Sequence, residues 1–443
     1  MSVVWKIVII VAVAVLVVWL VFGINWRGMR NYKRRHQILS NRLSDPVNKP
    51  IIDKLFDSNG SEAVRPHWRG LEALLATHGR PRVSTATHEI ITHGARKYEL
   101  LVKDLMGAKE SIHMEYFHFG IDKGSRTIRK LLMDKAREGV KVRFINENIA
   151  NFPIPNIYFH AMKRAGVEVV NFTNTGLSLL RFLMTLSYRD HRKIVVIDNA
   201  IGYTGGMNIN DHYFKQWRDT HLRLEGAAVG QLQMAFIDTW LTAGGKLGED
   251  LTGFFPELPT QGVLTQITPD EPTSPEAVLL QSYEWVLHHA ERYVWIQSPY
   301  LAPPASLIAA MRAATRRGVE VRVMLPRVCD TGIMRVINPS YYGDMLAAGV
   351  ELYLRNGEFI HSKTIVADDY LTCIGTTNLD YRSFGIDFEI NTYMYDEATA
   401  LEQKQIYEAE LAISDRVTQA DIDAVPWVRK MWHRFGRCFS AVV

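Results

Sequence analysis

Cysteine is scarce in this chain, at three in 443 residues. Cys329, Cys373 and Cys438 lie far apart without metal-ligand spacing, so neither a disulfide framework nor a cysteine-built zinc site is expected, and a reducing compartment is compatible. Net charge is equally thin. A surplus of +4 does not supply the concentrated basic face that nucleic-acid binders carry, so no nucleic-acid partner is expected. His67, His78, His88 and His93 share no ligand spacing and read as surface residues rather than a metal site. What remains is an ordinary globular balance, 47% hydrophobic and 22% charged, in a chain long enough for two domains.

The distinctive feature is a word used twice. His191-Arg-Lys-Ile-Val-Val-Ile-Asp198 is followed by Gly205-Gly-Met-Asn208, and His361-Ser-Lys-Thr-Ile-Val-Ala-Asp368 by Gly375-Thr-Thr-Asn378. A constant offset of 170 residues relates His191 to His361, Lys193 to Lys363, Asp198 to Asp368, Asn208 to Asn378 and Asp219 to Glu389. These are the only two His-x-Lys pairs in a chain with 15 histidines. The duplication reaches further, because Gly139-Val-Lys-Val-Arg matches Gly318-Val-Glu-Val-Arg and Gly166-Val-Glu-Val matches Gly349-Val-Glu-Leu. Whole domains are therefore repeated.

Strand periodicity puts His191 and Lys193 on one face of an apolar run, Ile194 to Ile197. If the halves pack about a pseudo-two-fold axis, two His, two Lys and two Asn converge on one anion-sized spot. A phosphate diester suits it. One neutral imidazole can attack phosphorus and the other, protonated, can donate to the leaving alkoxide, while Lys193, Lys363, Asn208 and Asn378 stabilise the equatorial oxygens. No metal and no cofactor is expected, since two lysines supply the positive charge that a divalent cation gives elsewhere. Asp219 and Glu389 are placed to orient an imidazole through its other nitrogen. Asp198 and Asp368 belong to the catalytic motif, and at strand ends they are expected to serve turns and hydrogen bonds more than chemistry.

These residues resemble the phospholipase D superfamily, whose signature is the doubled His-x-Lys-x4-Asp motif. Within it, the surrounding words are similar to those of bacterial cardiolipin synthases: Tyr188-Arg-Asp-His-Arg-Lys-Ile, Thr204-Gly-Gly-Met-Asn-Ile, Asp219-Thr-His-Leu-Arg-Leu-Glu-Gly, Ser298-Pro-Tyr-Leu and Asn378-Leu-Asp-Tyr-Arg-Ser-Phe. The resemblance implies an α/β fold of two homologous phospholipase D-like domains about a pseudo-two-fold axis. It also implies a phosphatidyltransferase of phospholipid biosynthesis. In that chemistry the first His takes a phosphatidyl group from phosphatidylglycerol as a phosphohistidine, glycerol leaves, and a second phosphatidylglycerol accepts it to give cardiolipin. Three alternatives stay open: a phospholipase D in which water accepts, a membrane-tethered nuclease, and a non-catalytic scaffold of the same fold.

In chain order, residues 1–35 read as an anchor with a basic juxtamembrane segment. Ile7 to Ile24 is uncharged, mostly apolar and flanked by Trp5 and Trp26, as a transmembrane helix would be. Arg27, Arg30, Lys33, Arg34 and Arg35 follow it, so the positive-inside rule places the catalytic body on the cytoplasmic side of the cell inner membrane. Residues 36–95 read as a lead-in segment, 96–245 as the first half, 246–276 as a Gly/Pro/Thr-rich connector, 277–425 as the second half, and 426–443 as an amphipathic aromatic and basic tail. Alternating helix and strand patterns in both halves predict a parallel-rich sheet. Membrane and anionic phospholipid are the expected partners. Leu177 to Leu186, just before the first motif, is expected as buried helix or as an apolar lip beside the site. The tail from Pro426 interleaves aromatics with cations, as interfacial helices do.

Overall fold

Two matched sets of strands meet along one antiparallel seam. A computed structural model describes residues 37–57, 60–172, 188–272, 274 and 276–440. The apolar run Ile7 to Ile24, the basic cluster from Arg27 to Arg35 and the run Leu177 to Leu186 lie outside the described residues. Among the described residues no helix is long and apolar enough to cross a membrane.

The first set is β1 (Ser84–His93), β2 (Ser111–Tyr116), β3 (Lys141–Asn146), β4 (Glu168–Asn171), β5 (Lys193–Ile197), β6 (Ile201–Gly205) and β7 (Arg218–Glu225). The second is β8 (Val263–Asp270), β9 (Tyr293–Gln297), β10 (Leu301–Ala302), β11 (Glu320–Pro326), β12 (Glu351–Arg355), β13 (Thr364–Ala367), β14 (Leu371–Gly375), β15 (Leu379–Asp380), β16 (Glu389–Tyr395) and β17 (Ser414–Arg416). Among the described residues, fifteen of these form one sheet in the order β17-β12-β11-β9-β13-β14-β16-β8-β1-β7-β6-β5-β2-β3-β4. Apart from the extra edge strand β17, that order is a palindrome about β8 and β1, the pattern a pseudo-two-fold axis generates. At the seam Ser84, Thr85 and Ala86 pair with Thr265, Leu264 and Val263.

The expected parallel-rich sheet is corrected to a mixed one. Among the described strands of this sheet, β2, β3 and β4 run parallel to one another, as do β9, β11 and β12, while the edge strand β17 is antiparallel. Strands β5, β6 and β7 alternate in direction, as do β13, β14 and β16. The connection from β5 to β6 is too short for a crossover helix, and a connection of that length can join only antiparallel neighbours. Its turn is tight. Asp198 and Asn199 take φ of 50° and 55°, and Ala200 N–H donates to Ile197 O at 3.0 Å, the positive-φ geometry that matches strand twist. Asp368 and Asp369 repeat it with φ of 52° each.

The lead-in segment, expected before residue 96, contributes β1 to the middle of the sheet. Its sequence Ser-Thr-Ala-Thr-His-Glu-Ile-Ile-Thr-His lacks a clean apolar alternation, and it is held as a strand by backbone pairing with β7 and β8 on its two sides. Helices Gly94–Gly107 and Lys123–Arg137 alternate with the strands of the first half. The latter starts where Asp122 accepts from Ser125 N at 3.0 Å, satisfying an end amide that the helix cannot. Helix Val229–Thr242 is buried almost all round. Leu232, Phe236 and Trp240 pack there with Val196, Leu224 and Ile267, each such side chain stabilising the fold by about 2 kcal/mol.

Candidate active site

The chain segments leading into β5 and β13 cross to the opposite half. His191 N–H donates to Phe388 O at 2.9 Å and Phe388 N–H to Arg189 O at 2.8 Å. Likewise His361 N–H donates to Arg218 O at 2.7 Å and Arg218 N–H to Phe359 O at 3.0 Å. These two short parallel bridges lay Asp190, the residue before His191, beside Phe388 at the start of β16, and Ile360, the residue before His361, beside Arg218 at the start of β7. The next residue on each partner, Glu389 or Asp219, thereby lands on the other half's histidine.

His191 Nδ1 lies 3.0 and 3.1 Å from Glu389 Oε1 and Oε2, and His361 Nδ1 lies 2.8 Å from Asp219 Oδ2. A carboxylate only accepts, so each Nδ1 carries the proton and each Nε2 keeps its lone pair for phosphorus. Neither half holds a complete set. Lys193 Nζ and Lys363 Nζ each donate to the carbonyl of the histidine two residues earlier, at 2.6 Å, and Lys363 Nζ also sits 2.8 and 3.1 Å from the two ring nitrogens of His361.

Burial dominates the electrostatics. Desolvation, followed by the field of Lys193 and Lys363, holds His191 well below the usual imidazole range. Burial, then Lys363, lowers His361 to about 4. Burial also lowers Lys193 to about 7 and Lys363 to about 8. It raises Glu389 to about 7 against the pull of Lys193. Two neutral imidazoles beside cations that a diester anion would neutralise form a site that gains most when that anion arrives.

The halves differ around their carboxylates. Gly206 is the position of Thr376 and Tyr213 that of Ser383 at the same offset of 170. A Cβ on Gly206 would stand 2.2 Å from Asp219 Oδ1, so only hydrogen fits there. In the second half Thr376 Oγ1 instead donates to Glu389 Oε2, and Ser383 Oγ donates to Oε1 at 2.6 Å. His361 is walled by Tyr213, Trp217, Tyr300 and Phe359, with ring centroids 5.4, 5.6, 6.3 and 5.9 Å away, whereas Phe117 meets His191 edge-on at 5.0 Å. Sequence reasoning missed the two hydroxyls and this wall, although Ser383 and Tyr300 stand inside words it singled out.

The expected phosphate-binding asparagines lie beside the motifs in different states. Asn208 Oδ1 accepts from His118 N at 3.2 Å and its Nδ2 donates to Tyr213 OH at 2.9 Å. Asn378 Oδ1 is buried without a hydrogen-bond partner among the described residues. The motif aspartates are not brought to the histidines. Asp198 is seven steps of extended chain from His191, roughly 23 Å, and its carboxylate accepts from Lys109, Glu110 and Ser111 N–H at 2.8–3.2 Å. Asp368 accepts in the same way from Glu291, Arg292 and Tyr293 N–H at 2.8–3.0 Å. Each carboxylate ties the hairpin turn to the entry of the adjacent strand. Asp198→Ala and Asp368→Ala are each expected to lower stability by about 2 kcal/mol, read by denaturant unfolding, with kcat of the folded fraction within a few-fold. A loss of kcat without a loss of stability would restore them to the chemistry.

Residues 101–240 and 285–411 match the sequence profile described as "Cardiolipin synthase, PLD-like domain". The chain is 32% identical over 426 residues to the major cardiolipin synthase ClsA of Bacillus subtilis, covering 93% of this chain and 87% of that protein. It is 33% identical over 392 residues to a cardiolipin synthase of Geobacillus kaustophilus, covering 85% and 76%. Among solved structures, the phosphatidylserine synthase of Haemophilus influenzae superposes with a TM-score of 0.63 at 13% identity, over 86% of this chain and 100% of that one, a likeness of fold.

Proposed function

Because the chain belongs to the family of cardiolipin synthases built on the phospholipase D-like domain, we propose that it joins two phosphatidylglycerol molecules into cardiolipin with release of glycerol. In the first step His191 Nε2 attacks phosphorus, the bond to the glycerol oxygen breaks, and that oxygen takes a proton from His361, neutral in the empty site and protonated in the complex, where the diester anion offsets the field of Lys363 and Lys193. In the second, a hydroxyl of another phosphatidylglycerol attacks the phosphohistidine, gives its proton back to His361, and the P–N bond breaks. Lys193 and Lys363 hold the equatorial oxygens, with Asn378 as a further contact. The crosswise pairing of His191 with Glu389 and His361 with Asp219 carries this reading, because it builds two like imidazoles into one two-step acid-base and nucleophilic unit.

Membrane attachment completes the reading. The run Ile7 to Ile24 serves as a single inner-membrane span, and the basic cluster after it keeps the catalytic body at the cytoplasmic leaflet beside its anionic lipid substrate. Purified full-length protein with phosphatidylglycerol vesicles is expected to yield cardiolipin and glycerol in equal amounts, at an unchanged rate in excess chelator, and a reporter fused after Val443 is expected to read as cytoplasmic. Phosphatidic acid as the main product would replace synthesis by hydrolysis, loss on chelation with rescue by a divalent ion would refute the two-lysine site, and a periplasmic signal would reverse the orientation.

A further inference from the structure

The helix Trp427–Arg437 is mounted with its apolar side outward. An amphipathic helix of a globular protein normally turns its apolar stripe to the core. Here Trp427, Val428, Met431, Trp432, Phe435 and Phe439 form one stripe at helical spacing and all are exposed, Trp427 at 70% and Trp432 at 60%. The opposite side makes the contacts with the body. Gly436 is buried against Val336, where an added Cβ would come within 2.7 Å of Cγ1. Arg437 lies over the Tyr341 ring at 4.2 Å and pairs with Asp344 at 2.6 Å. No acidic residue occurs between Trp427 and Arg437, and exposed Arg429 and Arg434 border the stripe.

The segment on which the helix rests leads to the mouth of the site. Tyr300, in the wall around His361, donates through its hydroxyl to Asp330 at 3.0 Å. On the same loop Val328 and Ile333 are exposed at 63% and 42%, and the short helix Met334–Ile337 that follows carries the Val336 contact. This loop leaves the C-terminal end of β11. Its counterpart after β3 exposes Phe152 at 76%, beyond Glu147, which is paired with Arg189 at 2.8 Å two residues before His191.

We infer that the aromatic stripe of Trp427–Arg437 and the two loop tips after β3 and β11 seat the active-site mouth on an anionic phospholipid bilayer. This rests on the phosphatidyl-transfer reading for its purpose, since a diacyl substrate must leave the bilayer head first into the site. The occupant is argued from charge: cations bordering exposed tryptophans match headgroup phosphates below and acyl chains beyond, with the long cationic stems reaching back to the interface. A protein partner would leave the uninterrupted positive border without a stated counterpart.

Cys438 is the exposed cysteine, while Cys329 and Cys373 are buried, so a thiol-directed environment-sensitive fluorophore reports from the stripe's edge in the full chain. In vesicles of equal phosphatidylglycerol and phosphatidylcholine, doxyl-labelled lipid is expected to quench it, and the W427S/W432S/F435S variant to lose that quenching. The same variant is expected to fall at least about tenfold in turnover of vesicle lipid while staying within about twofold on monomeric dihexanoyl phosphatidylglycerol, which needs no bilayer. An unquenched wild-type probe, an unchanged vesicle rate in the variant, or probe burial in lipid-free detergent that rises with protein concentration would overturn the docking surface. Absence of product from both substrates in the wild type would instead defeat the phosphatidyl-transfer reading, with the quenching still deciding the surface.

Discussion

Replacing either His191 or His361 by alanine is expected to lower cardiolipin formation by about 10⁴-fold or more, with the double replacement no worse than either single one, because nucleophile and acid act as one unit. Both imidazoles are oriented through Nδ1 by buried carboxylates, and neither has a substitute within its own half. The two variants separate when the leaving group no longer needs a proton. With a nitrophenyl ester of phosphatidic acid, His361→Ala is expected to form the phosphatidyl-enzyme at His191 and stall, whereas His191→Ala forms none. The labelled intermediate is read by mass spectrometry of the peptide carrying it. Label on His361 would reverse the roles, and more than a small residual activity in either folded variant on phosphatidylglycerol would sink the paired mechanism.

The second large effect concerns the carboxylates that reach across the halves. Asp219→Asn and Glu389→Gln are expected to lower kcat by about 10²- to 10⁴-fold, as when an imidazole loses the anion that sets its tautomer. An amide can donate as well as accept, so the ring can turn its protonated nitrogen toward phosphorus and lose the attacking lone pair. The pH profile distinguishes this from misfolding. Glu389 must be ionised to accept from His191, and burial raises it to about 7, so kcat/KM falls as pH drops below that value. Lys193 and Lys363 must stay cationic to hold the diester, and burial lowers them to about 7 and about 8, so kcat/KM falls again as pH rises through those values. The wild type should therefore peak near about 7, where the ionisation of Glu389 and the loss of the Lys193 proton cross. Glu389→Gln should flatten the acid limb and leave the alkaline one. An unchanged acid limb in that variant, or kcat within a few-fold of wild type, would show that Glu389 does not orient His191.

Much of the site was legible before the fold. His191, Lys193, His361 and Lys363 stand at the spacing that puts a nucleophile and a cation on one strand face, and the constant offset names Asp219 and Glu389 as equivalent. Which carboxylate serves which histidine was not legible. That pairing depends on the backbone bridges at Phe388 and Arg218, made between segments far apart in the chain, and no local pattern encodes a partner strand from another domain. The place of Asp198 and Asp368 was half legible, since a strand-end aspartate reads as a turn residue, while its acceptance of amides some 90 residues away for Asp198 is a tertiary fact. Strand β1 escaped for the same reason. Its polar sequence carries little period-2 signal, and it is a strand because β7 and β8 supply its hydrogen bonds.

By itself the sequence determined the repeat, the paired His and Lys candidates and the α/β alternation, because these follow from residue identity and from periods of two and 3.6 within a few neighbouring positions. Only the tertiary structure decided the crosswise orientation of the imidazoles, the hydroxyls on Glu389, the mixed strand directions and the outward face of Trp427–Arg437. Each of those is set by which distant surface an element packs against. An amphipathic helix has the same sequence whichever way its stripe turns, and a histidine has the same motif whichever carboxylate meets its second nitrogen.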